Sequence, residues 1–454
     1  MATALFMETM DSTIIATALP AIAADLGVDP IALKLAVTSY LVGFAILVPV
    51  SGWIADRLGA RTTFRAALLI FLGASIGCAS SSTLGSFVVL RFVQGLGGAL
   101  MTPVGRLVIV RGVPKEKLVA ALATLTIPSL LGPVAGPPLG GLIVTHVDWR
   151  WIFYVNLPIG VLGLVLASLY FDDERHESAP LDVKGFLLCA VALPGLILGA
   201  ASLGRHVAPP SVAAGILATG ALAMLAYVRH ARRTARPLLE LKLFSIPAFD
   251  AGVTGGALFR IGVGASAFLV PLMLQIGFGL DALTAGLLTF SGALGALAMK
   301  FLAPGILAQA GFRKVLVLNG LVASALMASV ALIGPSTGHA IVVAVLLMAG
   351  FARSLQFTSL HAISYADVDA RDLSAANSLA SVAQQVSLSF GVAIGATALE
   401  ISQRINGNAT PAPGDFSFAI VVVALISSLC VLKMLPLPMD AGRALSRRRP
   451  ESER

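Results

Sequence analysis

The chain has 454 residues, of which 57% are hydrophobic and only 12% charged, and its mean hydropathy is +0.91. Soluble domains carry about 25% charged residues, so a water-soluble globule is excluded and a polytopic membrane protein is indicated. A net charge of +8 suits either a nucleic-acid partner or a membrane topology, and the placement of the basic residues decides between them.

Apolar runs long enough to span a bilayer, about 20 residues each, follow one another with short polar loops between them. The first six run Ala4–Ala24, Leu35–Ile54, Thr62–Ser80, Leu84–Val108, Leu118–Val144 and Trp151–Tyr170. A charged linker, Phe171–Asp182, precedes two plainer runs, Val183–Leu203 and Ser211–Val228, and a second linker carries Arg229, Arg232, Arg233, Arg236 and Lys242. Six more follow: Ala248–Gln275, Ala285–Leu302, Val315–Ile333, Ala340–Ile363, Ala375–Glu400 and Phe416–Leu435. The expected fold is an all-α integral membrane protein of 14 transmembrane helices, two six-helix halves plus two inserted helices. Its expected divisions are residues 1–172, 173–242, 243–437 and a basic tail, 438–454. The first run starts almost at Met1 without a basic leader, which reads as a retained helix rather than a cleaved signal peptide.

An even number of spans puts both termini on one side. Of the 31 Lys and Arg, 23 fall in loops and tail on that side, and only Lys34, Arg150, Arg205 and Arg404 in loops on the other. The positive-inside rule makes the termini cytoplasmic and accounts for the net charge without nucleic acid. Arg447–Arg449 then face anionic headgroups. The halves look like a repeat: GWIADRLGARTTF from Gly52 aligns with PGILAQAGFRKVL from Pro304, matching Gly59 to Gly311 and Arg61 to Arg313. Parallel six-helix halves with a site between them near the midplane are a recurrent transporter plan. The middle pair holds almost no buried polar residue and reads as an insertion outside the working core.

A charge near the bilayer centre costs about 2.5–3.5 kcal/mol, so each one asks for a reason. Glu8 and Asp11 lie three apart on one face of the first span, and an inward-facing Asp11 is a proton-site candidate. A static ion pair is the plainer reading. In the fourth span Arg91, Gln94 and Gly95 share a face; Arg keeps its proton, so Arg91 would act by holding a carboxylate ionised, or else snorkel to the surface. Arg260 lies deep in its span, Arg353 is another basic residue within a span, and Lys300 reads as snorkelling. Gln94, Arg260, Gln356 and Gln384 are the candidates for a substrate cavity, with helix bridging as the plainer role for Gln356, His361, Gln384 and Gln385.

In GPVAGPPLGG, Gly132, Gly136 and Gly140 recur every fourth residue and form a close-packing face, while Pro133, Pro137 and Pro138 each remove a backbone donor. At the turn after the second span, Gly52 and Gly59 permit a tight connection beside Asp56, Arg57 and Arg61, a candidate gate cluster. Gly73–Gly77 fits G-x-S-x-G around Ser75, but no strand precedes it, so a serine nucleophile is not expected. There is no G-x-x-x-x-G-K phosphate loop. Cys78, Cys189 and Cys430 lie singly in apolar runs and suggest neither disulfides nor metal. The expectation is a non-enzymatic protein with no metal and no cofactor.

These stretches together resemble the major facilitator superfamily and, within it, the fourteen-helix drug:proton antiporters of the EmrB/QacA type. GWIADRLGAR is similar to the family's cytoplasmic loop motif through Gly52, Asp56, Arg57, Gly59 and Arg61, with Ala60 where a basic residue is usual. RFVQGLGGA resembles the fourth-helix motif and implies its arginine role for Arg91. GPVAGPPLGG resembles the antiporter motif through Gly132, Gly136, Pro137, Gly140 and Gly141. MDSTIIATALP is similar to the first-helix motif, placing the family's acid at Asp11 and Ala16 where asparagine is usual. WRWIFYVNLPIG resembles the segment entering the sixth helix, and HARR, LFRIG and PLMLQIGFG are similar to the MdtD/HsrA-like group. The resemblance implies a proton-coupled exporter of amphiphilic or toxic small molecules, in a bacterial inner membrane, driven by the proton gradient. Its partners would be substrate, protons and lipid. An exporter of one metabolite, siderophore or lipid is the alternative, and a receptor without transport a remote one.

Overall fold

The computed structural model describes residues 2–112, 131–132, 134–171, 180–202, 209–235, 237–369, 372–438 and 441. Among them lie 13 helices long and apolar enough to cross a membrane. The remaining expected span, Leu118–Val144, falls partly outside the described residues, and residues 134–146 of it are helical. The chain is an all-α polytopic membrane protein.

The first half contains α1 (Ala2–Leu26), α2 (Lys34–Leu47), α3 (Ser51–Leu58), α4 (Ala60–Ala79), α5 (Leu84–Gly112), α6 (134–146), α7 (Trp151–Tyr154) and α8 (Asn156–Tyr170). The inserted pair is α9 (Val183–Ala201) and α10 (Pro210–Ala231). The second half contains α11 (Pro247–Asp250), α12 (Gly256–Leu272), α13 (Ala282–Ala310), α14 (Phe312–Ser329), α15 (His339–Ile363), α16 (Leu373–Asn406), α17 (Pro413–Ser428) and α18 (Cys430–Met434). π-Helical turns at Ala251–Gly255 and Met273–Gly277 bracket α12, and such turns re-aim side chains within a helix.

The repeat seen in the sequence has a structural counterpart. Gly59 ends α3 with φ +92° and Gly311 ends α13 with φ +75°, both turning the chain directly into the next helix, a conformation that only glycine adopts without strain. Gly52 has no such role: it lies within α3, and a methyl group there would meet nothing within 4 Å, which corrects the expectation that both glycines shape the turn. The register extends into the packing. In the first half a methyl on Gly43 would strike the Phe92 carbonyl and one on Gly95 the Tyr40 carbonyl. In the second, Gly295 meets Leu347 and Gly350 meets Gly292 in the same way. This pairing superimposes α2–α3 on α13 and α5 on α15, residue for residue.

α9 and α10 pack on each other, and α9 rests on α2 and α16 at the flank of the bundle. Asp182 caps α9 through the Gly185 N–H (2.9 Å), pairs with His230 at the end of α10 (2.7 Å) and accepts from the Leu238 N–H (3.1 Å). One carboxylate thus ties the pair to the linker that leads into the second half. Burial pushes that carboxyl up, but the three donors outweigh it and hold it below its ordinary value.

Toward the face opposite the N-terminus, both halves share one apolar cluster: Ile22, Ile31 and Leu33 with Met273, Leu399 and Phe416. Toward the N-terminal face the clusters beside the central cavity are separate, around Phe64 and Phe71 in the first half and Phe312 and Leu360 in the second. The shared cluster closes the cavity at the end opposite the N-terminus, while on the flank a further cluster joins the halves through Ala45 of α2 with Val253, Ala376 and Leu379.

Candidate functional site: a buried carboxylate network beside a central cavity

Asp11 projects from α1 into the interior of the first half, where it is 1% exposed. Arg91 of α5 donates from Nη1 to Asp11 Oδ2 at 2.7 Å. Gln94, one turn on, donates to Asp11 Oδ1 at 3.0 Å and to Ser75 Oγ at 2.8 Å, and its own Oε1 accepts from Arg91. Asn156, opening α8, donates to Asp11 Oδ1 at 2.9 Å. All five side chains are essentially buried. Arg91 also lies over the Tyr40 ring, 4.6 Å from its centroid. So Arg91 does not snorkel; four helices converge to keep one carboxylate ion-paired and hydrogen-bonded, the arrangement that makes a buried charge tolerable. Glu8 is buried one turn earlier on α1.

Asp11 and Arg91 are brought together as a buried pair, and Gln94 is corrected: it belongs to their network, not to a cavity wall. Two members, Asn156 as a partner of Asp11 and Ser75 as an acceptor from Gln94 and Asn156, are not evident from the sequence. Their signal is a polar side chain on the inward face of an apolar helix, which demands a partner inside the membrane. Ser75 sits mid-helix in α4 and donates to the Phe71 carbonyl at 2.9 Å, with none of the strand-to-helix strain of a nucleophile elbow.

The antiporter-like stretch forms a ladder against α1. Methyl groups on Gly132, Gly136 and Gly140 would collide with Thr9, Thr13 and Thr17 respectively. These threonine hydroxyls bond back to carbonyls of α1 itself, Thr9 to Leu5 (2.8 Å), Thr13 to Thr9 (3.0 Å) and Thr17 to Ile14 (2.9 Å), so the face they offer is satisfied without α6. The other side of α6 meets the second half: Gly141 abuts the Ala282 carbonyl, and Gly286 of α13 abuts that of Pro137. Pro133 lies outside the described residues. At the gate loop Arg57 stacks 5.5 Å from the Trp53 ring, Asp56 and Arg61 are half-buried, and Arg313 donates to the Leu435 carbonyl at 2.9 Å.

A cavity of about 330 Å³ lies between the halves, within the range of small-molecule sites. From α1 it takes Ser12, Thr13, Ala16 and Thr17; from α12 Phe259, Ser266 and Phe268; from α13 and α15 Thr289, Lys300, Arg353 and Ser354. None of the four expected cavity residues lines it. Arg260 is 2% exposed and lies beside Phe357, 5.2 Å from its centroid; Gln356 bridges Asn319 (3.1 Å) and the Leu316 carbonyl (3.1 Å); Gln384 is half-buried on α16, away from the cavity. Lys300 is corrected too. Instead of snorkelling, it lines the cavity and donates to Thr358 at 2.9 Å. The reason is common to all: a residue's depth is set by its place in the sequence, but its azimuth around the helix is set by neighbours.

Lys34 and Glu400 were expected as a loop charge and a span end. They form an ion pair of 2.6 Å between α2 and α16, across the halves, with side chains 0% and 4% exposed. Nearby, Gln275 donates to the Thr17 carbonyl at 3.1 Å, again half to half.

The Major Facilitator Superfamily profile matches residues 1–392, and the chain belongs to that superfamily of membrane transporters. Among its relatives is a protein of Salmonella paratyphi B named "Putative multidrug resistance protein MdtD", 36% identical over 98% of this chain and 95% of that one. Its namesake in Escherichia coli O9:H4 is 35% identical over 99% and 96%. Solved structures with the same fold include a D-xylose-proton symporter (TM-score 0.68, 16% identity, 97% of each chain) and an auto-inhibited POT family peptide transporter (TM-score 0.67, 15% identity, 100% and 98%).

Proposed function

We propose that this transporter is a proton-coupled exporter of amphiphilic small molecules, working by alternating access in a bacterial inner membrane with both termini in the cytoplasm. The observation that carries the reading is that α1 serves three tasks. One face presents Asp11 to Arg91, Gln94 and Asn156, another presents Ser12, Thr13 and Ala16 to the cavity, and Thr9, Thr13 and Thr17 form the ladder against α6. Protonating Asp11 would cancel its attraction for Arg91, and the released helix carries both a cavity wall and a packing seam. Asp11 itself is turned from the cavity, so proton and substrate would communicate through the position of α1 rather than by competing for one carboxylate. The cavity, sealed opposite the N-terminus, corresponds on this topology to a state receiving substrate from the cytoplasm. The Gly132–Gly141 stretch would keep the bundle watertight as the halves rock, and the Asp56 loop would latch the cytoplasmic side. No cofactor is required: a proton moving down 100 mV releases about 2.3 kcal/mol, enough for roughly a fiftyfold gradient of a neutral solute.

The test is proton flux in proteoliposomes under an imposed pH gradient, with amphiphiles of either charge, comparing the parent with Asp11→Asn. Substrate-dependent flux lost in the variant supports the reading. Undiminished flux in the variant would overturn Asp11 as the coupling site, leaving Glu8 as the next candidate.

A further inference from the structure

The two halves share a backbone register but not their charges. On the superposition fixed by Gly43/Gly295 and Gly95/Gly350, Lys300 of α13 corresponds to Val48, and Arg353 of α15 to Gly98. Arg91, which holds Asp11, corresponds to Leu346. So the first half carries a cation matched to a carboxylate, whereas the second carries, besides Arg260 within α12, two cations on α13 and α15 at positions where the shared scaffold needs none. Both line the cavity. Among the described residues neither is paired with a carboxylate: Lys300 has the Thr358 hydroxyl, and no Asp or Glu lines the cavity. Asp11 of α1 is turned away from the cavity and engaged by Arg91.

Resting on the exporter reading above, we propose that the cavity selects amphiphilic organic anions, carboxylates or sulfonates on an apolar body, with Lys300 and Arg353 receiving the anionic head. The apolar wall, Phe259, Phe268, Met327 and Val330 among it, takes the body, and Ser354 lines the cavity next to Arg353. Two cations at membrane depth without a counter-charge are costly, and an anionic head offsets that cost by forming charge-assisted hydrogen bonds to a planar guanidinium and an ammonium. A cationic amphiphile would add a third positive charge with no acid to meet it, and like charges brought together in a desolvated site are rejected.

The test measures equilibrium binding to the purified full chain in nanodiscs, using three probes on one fluorophore: dansylaminoundecanoic acid, its methyl ester, and the chain-matched trimethylammonium analogue. The acid should bind at least about tenfold more tightly than either other probe, as expected for one or two charge-assisted contacts. In the variant Lys300→Met with Arg353→Gln the acid should fall to within about threefold of the ester, while the ester keeps its parent affinity. Lys300→Arg should keep the preference. The parent's own ranking tests the charge argument even where the double variant does not fold. A cationic probe binding as tightly as the acid overturns the proposal and leaves export intact. Acid preference retained in a folded double variant overturns the assignment to these two residues. If none of the three probes binds, the assignment to amphiphilic anions is overturned, while the export reading is decided separately by the proton-flux test.

Discussion

The buried pair Lys34–Glu400 predicts a state shift whose sign and size follow from its surroundings. It links α2 to α16 near the sealed end of the cavity, at 2.6 Å, with both side chains removed from water. Lys34→Met leaves the Glu400 carboxylate buried without its cation, and removing one partner of such a pair costs about 3–5 kcal/mol. Any conformation that opens this end wets Glu400 and escapes that cost. The equilibrium should therefore move toward opening by up to roughly two to three and a half orders of magnitude, since 1.4 kcal/mol is tenfold. Replacing both residues, Lys34→Met with Glu400→Leu, removes the stranded charge and should return the equilibrium to within about tenfold of the parent. Val37, one turn along α2 and lining the cavity, provides the reporter: Val37→Cys is labelled by a membrane-impermeant maleimide added to the face opposite the N-terminus. The native thiols Cys78, Cys189 and Cys430 are buried and contribute little background. Labelling should accelerate at least about tenfold in Lys34→Met and fall back in the double variant. A single variant labelled within twofold of the parent, or a double variant as fast as the single, would refute the reasoning.

Two further outcomes follow from packing and charge. Gly136→Val drives a branched side chain into Thr13 and the backbone of Ile14, and overpacking of this kind costs about 1–3 kcal/mol or more, whereas Gly52→Ala meets open space. The first should lower the thermal midpoint in detergent and slow transport, and the second should do neither. For Asp182, the folded-state carboxyl lies below its ordinary value, so its contribution is fully present above about pH 4 and is lost as pH falls through the folded-state value. Asp182→Asn should thus be less stable than the parent at pH 7, by thermal unfolding, with the gap closing only under strongly acidic conditions. A gap that closes between pH 5 and 7 would point to another group.

Sequence alone determined the spans, the repeat and the motif stretches, because each rests on one-dimensional information. Span length is fixed by bilayer thickness, the glycine seam by a four-residue spacing, and the Gly59–Gly311 equivalence by identical turns that demand the same backbone conformation. Asp11 and Arg91 were also legible, since an ionisable residue within a span calls for a partner. Tertiary structure decided which partner and which direction. A helix's polar residues can point to any side, and only the packing of α5 and α8 against α1, with α4 behind them, turned Asp11 toward Arg91 and Asn156 rather than toward the cavity. The same freedom of azimuth put Gln94 in the network, Gln356 between helices, and Lys300 and Arg353 in the cavity wall. Lys34 and Glu400 are hundreds of residues apart and meet because two halves with the same fold close face to face, a contact that no local spacing encodes.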